Sequence, residues 1–378
     1  MKIKLWLIVI SLVLQGCTYE AYNAVKPEPK APDFVGSFIQ FRILSALVSG
    51  SGTNSGGELG CSNSSKKTVT ISTFAGSGSV GSIDGTGTAA SFNNSQGIAI
   101  DSSGTFYVTE NYKIRKITSA GVVSTLAGSG SSGSTDGIAT AASFNLLRGI
   151  AVDSSGTLYV ADAFNNKIRK ITSAGVVSTL AGSGSSGSTD GIGTVASFNI
   201  PLAVAVDSSG IVYVVDQYSN KIRKITSAGV VSTLAGSGSN GSIDGVGTSA
   251  SFSGLQGIVI DNNSNIYVTD SSNNKIRKIT TEGVVTTFAG SGSLSATDGT
   301  GTAASLGRPV EMAIDSNGNI FVMEQFSIKL RKVTSSAVVT TIINDYSLSS
   351  NYPYGLAIDS KGAIYGTASN KILKIVCN

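Results

Sequence analysis

The stretch that decides the fold is GIAVDSSGTLYVADAFNNKIRKI at residues 149–171, which returns as GIVIDNNSNIYVTDSSNNKIRKI at residues 257–279. The central Ile or Leu of the basic phrase KIRK recurs every 54 residues, at Ile114, Ile168, Ile222, Ile276 and Leu330. A sixth copy, KILK, follows after only 42 residues at Ile372, because it lacks the long Ser/Gly/Asp segment. Self-similarity at a fixed period of this length indicates a repeat architecture.

Each repeat has the pattern of four short strands. In the second copy they are expected at 149–153, 157–162, 167–172 and 176–182. The tight turns DSSG and SAG join the first strand to the second and the third to the fourth. A parallel sheet is excluded because helical crossovers are absent. β-Branched residues on both faces of each unit predict a blade packed between two neighbours, as in a β-propeller.

The two ends of the chain complete the blade count. An unpaired fourth strand stands at 69–76, and an unpaired set of three strands stands at 355–376. Together they make a sixth blade, and this closure removes the exposed edges of an open array. The sequence therefore predicts an all-β, six-bladed β-propeller of four-stranded antiparallel blades over residues 68–378.

The N-terminal segment predicts export. Residues 1–16 combine two lysines with an apolar run that is too short to span a bilayer, which is typical of a signal peptide. The segment up to Cys17 resembles the lipobox of bacterial lipoproteins, although Gln15 stands where a small residue is commoner. We expect a lipid-anchored, flexible tether at 17–67 and a location in the bacterial cell envelope. An ordinary secretory signal is the alternative, and the role of the apolar segment 34–48 is left open.

The remaining two cysteines flank the predicted closure. Cys61 precedes the first strand, and Cys377 ends the strand with which it is expected to pair. In an exported protein this arrangement predicts a disulfide between them, with two separate thiols as the alternative.

Composition narrows the function classes. Only 13% of the 378 residues are charged, and the net charge of +4 is too small to imply nucleic acid. Histidine is absent, which removes the commonest general base and metal ligand and argues against zinc, copper and His-based catalysis.

The quoted phrases resemble NHL repeats over all six blades. The resemblance implies a six-bladed propeller in a family that includes protein-binding and RNA-binding domains and peptide-processing lyases. The lyase-like relatives use channel histidines, and this chain has none.

Sequence variation is concentrated on one face. The second-to-third and fourth-to-first connections emerge on the same face, and there the repeats diverge, so specificity is expected there. The aromatic side chains in these connections are suited to stacking on a sugar or packing on a peptide. The alternative is that they cap the blade cores. The candidate binding residues are Tyr112, Arg148, Phe164, Tyr218, Gln256, Arg308 and Phe326.

Three repeated polar sets have structural interpretations. Aspartates such as Asp153 precede the DSSG turns and are expected to bind the turn backbone. Acids such as Asp162 recur in phase with Arg169 and are expected to pair with it. Both partners are absent from the sixth blade, where Gly366 and Leu373 align with their positions.

The third set consists of aspartates in the DG turns of the long loops. A turn-forming role is expected, and calcium binding is the alternative, although one carboxylate per loop provides few ligands for Ca²⁺. These residues are Asp84, Asp136, Asp190, Asp244 and Asp298.

We therefore expect a surface-tethered, monomeric binding or scaffold module for a protein or glycan, with no nucleic-acid partner and no cofactor. One alternative is a calcium-dependent lyase or lactonase-like enzyme with its site in the axial channel, to which Glu311 would contribute. Another is a purely structural envelope lipoprotein. Nearly interchangeable blades and the lack of histidine favour a non-enzyme.

Overall fold

The computed structural model describes the backbone of residues 59–61, 67–344 and 353–377, and the side chains of residues 69–344 and 353–376. The predicted signal peptide, Cys17 and the segment 34–48 lie outside the described residues. The described chain forms six antiparallel sheets of five strands each, which are the six predicted blades. Within this part of the chain, no helix is long and apolar enough to cross a membrane.

The strands follow the repeat in chain order. Two strands precede the first blade: β1 (Leu59–Cys61) and β2 (Lys67–Ala75). The first blade holds β3 (Gly85–Thr86), β4 (Ile98–Ile100), β5 (Phe106–Thr109), β6 (Ile114–Ile117) and β7 (Val122–Ala127). The second holds β8 (Gly137–Ile138), β9 (Leu147–Val152), β10 (Leu158–Asp162), β11 (Lys167–Ile171) and β12 (Val176–Ala181). The third holds β13 (Gly191–Ile192), β14 (Pro201–Val206), β15 (Val212–Asp216), β16 (Lys221–Ile225) and β17 (Val230–Ala235).

The remaining blades repeat this pattern. The fourth holds β18 (Gly245–Val246), β19 (Leu255–Ile260), β20 (Ile266–Asp270), β21 (Lys275–Ile279) and β22 (Val284–Ala289). The fifth holds β23 (Gly299–Thr300), β24 (Pro309–Ile314), β25 (Ile320–Glu324), β26 (Lys329–Val333) and β27 (Val338–Ile343). The sixth adds β28 (Leu356–Ile358), β29 (Ile364–Ala368) and β30 (Lys371–Cys377). One-turn 3₁₀ helices lie in the long loops at Gly87–Ala89, Ala139–Ala141, Gly193–Val195, Gly247–Ser249 and Gly301–Ala303.

Blades one to five have a fifth strand beyond the four that the sequence predicts. In the second blade, the two-residue strand β8 pairs with Val176 and Val177 at the start of β12. The strand comes from the long Ser/Gly/Asp loop, which crosses from the preceding blade to the outer edge before it turns inward. The loop therefore shields the outer edge of the sheet that it enters, which four strands alone would leave open.

The predicted ring closure is confirmed. β2 pairs with β30 from Val69 opposite Cys377 to Ala75 opposite Ile372. β1, which lies inside the predicted tether, pairs with β2 as the fifth strand of the sixth blade. It takes the edge position that a long loop fills in the other blades.

The closure bears on the predicted disulfide between Cys61 and Cys377. β2 lies between the two strands that carry these residues. Adjacent strands are about 4.8 Å apart, so the two backbones are separated by roughly 10 Å, against a usual limit of about 7 Å between bridged Cα atoms. A bond would require the short strand β1 to move. The cysteine side chains lie outside the described residues, and the disulfide stays a prediction.

The core lies between the blades, and the innermost strands surround the axis. One cluster joins Ala151 and Tyr159 of the second blade to Val204 and Val212 of the third. The innermost strands β4, β9, β14, β19, β24 and β28 contact one another in a closed ring. They approach so closely that a Cβ atom on Gly149 would lie 2.7 Å from the Ala203 Cα. Side chains at the axis therefore project from a tightly fixed backbone.

Candidate functional site

A buried arginine in each of the first five blades uses two of the repeated acids. Arg169 is fully buried; its Nη1 lies 2.7 Å from Asp162 Oδ2 and its Nη2 lies 2.6 Å from Asp136 Oδ1. The same guanidinium donates to the carbonyls of Ser143 and Thr135, and its Cζ lies 5.0 Å from the centre of the Phe144 ring. Arginines with equivalent acid pairs are Arg115, Arg223, Arg277 and Arg331. The predicted structural pairing of acid and arginine is confirmed, with a second acid in each cluster.

The two acids of a cluster have opposite pKa shifts. Burial works against ionisation of Asp136, but hydrogen bonds from Thr179 and Arg169 outweigh it and hold its pKa below the ordinary value. Asp162 is fully buried, and this burial raises its pKa despite hydrogen bonds from Asn165, Asn145 and Arg169. Each cluster is therefore a charge network inside the framework.

The aspartates considered for calcium all belong to these clusters. The carboxylates of Asp84, Asp136, Asp190, Asp244 and Asp298 each accept a hydrogen bond from the arginine and one from a threonine hydroxyl. Within the described part of the chain, no group of three or more His, Cys, Asp or Glu side chains is placed to hold a metal ion. The role seen for these aspartates is to fix the loop to its blade.

The sixth blade needs one correction to the sequence alignment. The sequence alignment puts Gly366 at the position of the acid, but Gly366 lies opposite Leu373, as Val160 lies opposite Arg169. Ala368, opposite Lys371, occupies the place that Asp162 takes opposite Lys167. The sequence alignment is shifted there because the connection after β29 is two residues shorter than its counterparts in blades two to five, but acid and arginine are still lost together.

The turn aspartates have the predicted role. Asp153 Oδ1 accepts the backbone N–H groups of Ser155 and Thr157, both at 2.9 Å. Its Oδ2 accepts the Tyr159 hydroxyl at 3.2 Å, a contact that the sequence pattern had not suggested. The face that carries these turns is therefore structural and nearly uniform.

The opposite face exposes aromatic rings. In the second and third blades the second-to-third connection is a 3₁₀ turn, Ala163–Asn165 or Gln217–Ser219. Phe164, Tyr218 and Phe326 are 41%, 49% and 62% exposed, so these three rings do not cap blade cores. Tyr112 is half-buried. The three exposed rings, in blades two, three and five, are named the aromatic face below.

Backbone strain marks the fourth-to-first connections on this same face. Five equivalent residues have positive φ: Asn94, Leu146, Ile200, Gly254 and Arg308. For the β-branched Ile200, at φ 54°, this conformation costs on the order of 1 kcal/mol. Asn166 of the preceding blade holds it by accepting the Ile200 N–H at 2.9 Å. Arg308, the candidate at this position in blade five, is exposed.

The next residues turn towards the axis through β-bulges. In the second blade Arg148 and Gly149 stand opposite the single residue Ala161, between the pairs Leu147–Asp162 and Ile150–Val160. Val310 and Glu311 form the same bulge in the fifth blade. A β-bulge changes the direction of the side chains that it carries. These bulges lie at the end of the propeller axis on the side of the aromatic face.

Two of the candidate residues therefore lie near the propeller axis instead of the outer rim. The end of the axis surrounded by these bulge residues of the inner strands, among them Arg148, Gln256 and Glu311, is called the axial mouth below. Arg148 and Gln256 occupy equivalent bulge positions and are half-buried. Arg148 Nη1 donates to Gln96 Oε1 at 2.5 Å. Burial lowers the pKa of Arg148, while the charges of Tyr354 and Glu311 act in the opposite direction.

Glu311 is the unusual residue at this mouth. It stands where blades one, two, four and six have glycine. Burial raises its pKa to about 7, although the Met312 N–H and the charge of Arg148 both favour the ionised form. A carboxyl group with such a pKa exchanges protons near neutrality.

Comparison with known proteins supports the repeat assignment. The family model of the Teneurin NHL domain matches residues 78–146 and 131–200. Human Teneurin-4 is 26% identical over 245 residues, which are 57% of this chain and 9% of that protein. The Arabidopsis thaliana chloroplast protein SUPPRESSOR OF QUENCHING 1 is 29% identical over 279 residues, 68% of this chain and 26% of that protein. The chain thus spans about a quarter or less of these relatives.

Solved structures share the fold at low identity. A Bacteroides thetaiotaomicron protein of unknown function matches with a TM-score of 0.61 and 20% identity, over 83% of this chain and 77% of that one. An auxiliary nutrient binding protein of the same species matches with a TM-score of 0.60 and 14% identity, over 82% and 77%. A Xanthomonas campestris gluconolactonase matches with a TM-score of 0.58 and 12% identity, over 85% and 95%. At these identities the likeness concerns the fold alone.

The six sheets, the closure through β2, the family-model match and the propeller neighbours lead to one assignment. The chain is an NHL-repeat protein that folds as a six-bladed β-propeller.

Proposed function

We propose that the protein is a binding module that recognises a protein or glycan ligand on its aromatic face. The observation that carries the proposal is the exposure of Phe164, Tyr218 and Phe326 on the one face where the repeats diverge. Exposed rings on a rigid scaffold stack on sugars and anchor peptides at little entropic cost. The proposal is compatible with structural neighbours that include a nutrient-binding protein.

The test compares two triple variants of the full chain on an array of glycans and envelope proteins. Phe164→Ala/Tyr218→Ala/Phe326→Ala removes the aromatic face and is expected to weaken binding by about 100-fold. The control, Val176→Ala/Val230→Ala/Val338→Ala, removes apolar side chains that are 37–40% exposed and lie next to the third-to-fourth turns on the opposite face. Equal binding by both variants would contradict the proposal.

We further propose that the module is exported and tethered to the bacterial envelope by lipid on Cys17. The support is the leader pattern, with its charged start, short apolar run and Gly-Cys end. Membrane fractionation and mass spectrometry of the N-terminal peptide test this. Lipid on Cys17, and release of a Cys17→Ser variant from the membrane, are expected; an unmodified Cys17 in the mature protein would refute the anchor.

The enzyme alternative has one observation in its favour. Glu311, with a pKa of about 7, lies at the axial mouth and has the proton affinity of a general acid or base. Lactone hydrolysis by the wild type that is lost in Glu311→Gln would favour the enzyme, since a binding module predicts no turnover in either chain.

A further inference from the structure

The axial mouth carries two opposite charges on opposite walls. Arg148 belongs to the second blade and Glu311 to the fifth, so β9 and β24 face each other across a ring of six inner strands. Both residues sit in bulges, and neither is repeated in the other blades. In a chain whose structural residues recur in phase, this pair is not part of the repeated framework.

The two charges interact but do not meet. None of the ion pairs among the described residues, within 4.0 Å, includes Arg148 or Glu311. Within the same part of the chain, the side chain of Arg148 donates only to Gln96, which leaves donors of its five-donor guanidinium for another acceptor. Glu311 retains a raised pKa, as expected for a carboxylate whose cation is too distant to offset its burial.

We propose that this mouth binds a small zwitterion, with its carboxylate on Arg148 and its ammonium group on Glu311. A guanidinium pairs with a carboxylate through two parallel hydrogen bonds, and an ammonium group would provide the positive counter-ion that Glu311 lacks. A ligand with only one charge would neutralise one of these two half-buried side chains and leave the other without a counter-ion. The site is separate from the aromatic face and does not depend on the proposed protein or glycan ligand.

The first experiment varies the distance between the two charges of the ligand. Isothermal titration of the full chain with glycine, β-alanine, 4-aminobutyrate and 5-aminovalerate measures affinity against the separation of the two charges. One length is expected to bind best. Butyrate and butylamine, which each carry one of the charges, are expected to bind roughly 10- to 100-fold more weakly than 4-aminobutyrate if that length fits.

Substitutions then assign the two poles. Arg148→Gln and the near-isosteric Glu311→Gln are each expected to weaken the best ω-amino acid by about 10- to 100-fold. Lys361→Gln removes a positive charge from an exposed turn on the opposite face; it is the control and should bind as the wild type does.

The pH profile of the wild type tests the proposal without any variant. Glu311 must lose its proton to hold an ammonium group, so affinity should rise with pH through about 7. Arg148 stays charged throughout, and Tyr354 is the other titratable group near it. A flat profile, equal binding of singly charged ligands, or full binding by Arg148→Gln would each overturn the proposal. Since the aromatic-face variant should retain zwitterion binding, failure here is distinguishable from failure of the proposed function.

Discussion

At the scale of single residues, the buried arginines fix the long loops to the blades. Each guanidinium joins a half-exposed loop aspartate to a buried acid at the end of the second strand. Each also leaves its buried Nε without an acceptor among the described residues. Because burying the charges and this donor is costly, the cluster is better explained by loop positioning than by net stability.

Breaking one cluster should be more harmful than removing it. Arg169→Leu leaves Asp162 buried without its cation, and we expect a loss of about 3–5 kcal/mol in the free energy of unfolding. Arg169→Leu/Asp162→Ala reproduces Leu373 and Ala368 of the sixth blade, which packs without the pair. The double variant should therefore lose less than the single one in urea denaturation. A larger loss in the double variant would contradict this view of the cluster.

Glu311 should make stability fall as pH rises. Its pKa is raised from 4.5 to about 7, so between these values the folded state holds a proton that the unfolded state has released. Stability then decreases with pH across this window. Glu311→Gln should match the wild type near pH 4.5 and exceed it by about 3 kcal/mol at pH 8, since each unit of pKa shift corresponds to about 1.4 kcal/mol. Glu282→Gln, at an exposed turn, is the control; a constant difference across pH would contradict the expectation.

At the scale of elements, the ring depends on β2. This strand covers β30, which would otherwise be a long open edge of the sixth blade. β1 covers β2 only along three residues. The two N-terminal strands thus contribute very differently to closure.

Two truncations separate their contributions. A chain that starts at residue 77 lacks β2, and we expect it to aggregate and to melt about 10 °C or more below the full chain. A chain that starts at residue 67 retains β2 and should stay soluble with a nearly unchanged melting temperature. Size-exclusion chromatography and circular dichroism measure both. Comparable behaviour of the two truncations would show that closure does not rely on β2.

At the scale of the whole molecule, the two ends of the propeller differ. One end repeats the same aspartate turn in every blade, and the other combines strained residues, exposed rings and the axial pair. The loop aspartates are paired with blade arginines in each of the first five blades, whereas Arg148 and Glu311 at the axis have no counterparts in the other blades.

Calcium should have little effect on the molecule. The loop aspartates already accept hydrogen bonds from arginine and threonine, so a cation would have to displace a guanidinium. We expect far less than one Ca²⁺ per chain after desalting and a melting temperature that calcium shifts by less than ~1 °C. A Mg²⁺ titration is the control. About five ions per chain would instead assign calcium to the loops.

The sequence by itself determined the blade number, the closure and the acid–arginine pairing. These follow from local patterns and residues recurring in phase, and a repeated strand can bury its two faces only against copies of itself. The sequence did not reveal that Asp136 contacts Arg169, 33 residues away. The Gly/Ser-rich composition of the long loop does not indicate which part of the next blade the loop packs against. The sequence also could not place Arg148 and Glu311 at the same end of the axis. Their placement depends on ring geometry and on the bulges in which both residues lie, so only the tertiary structure decided it.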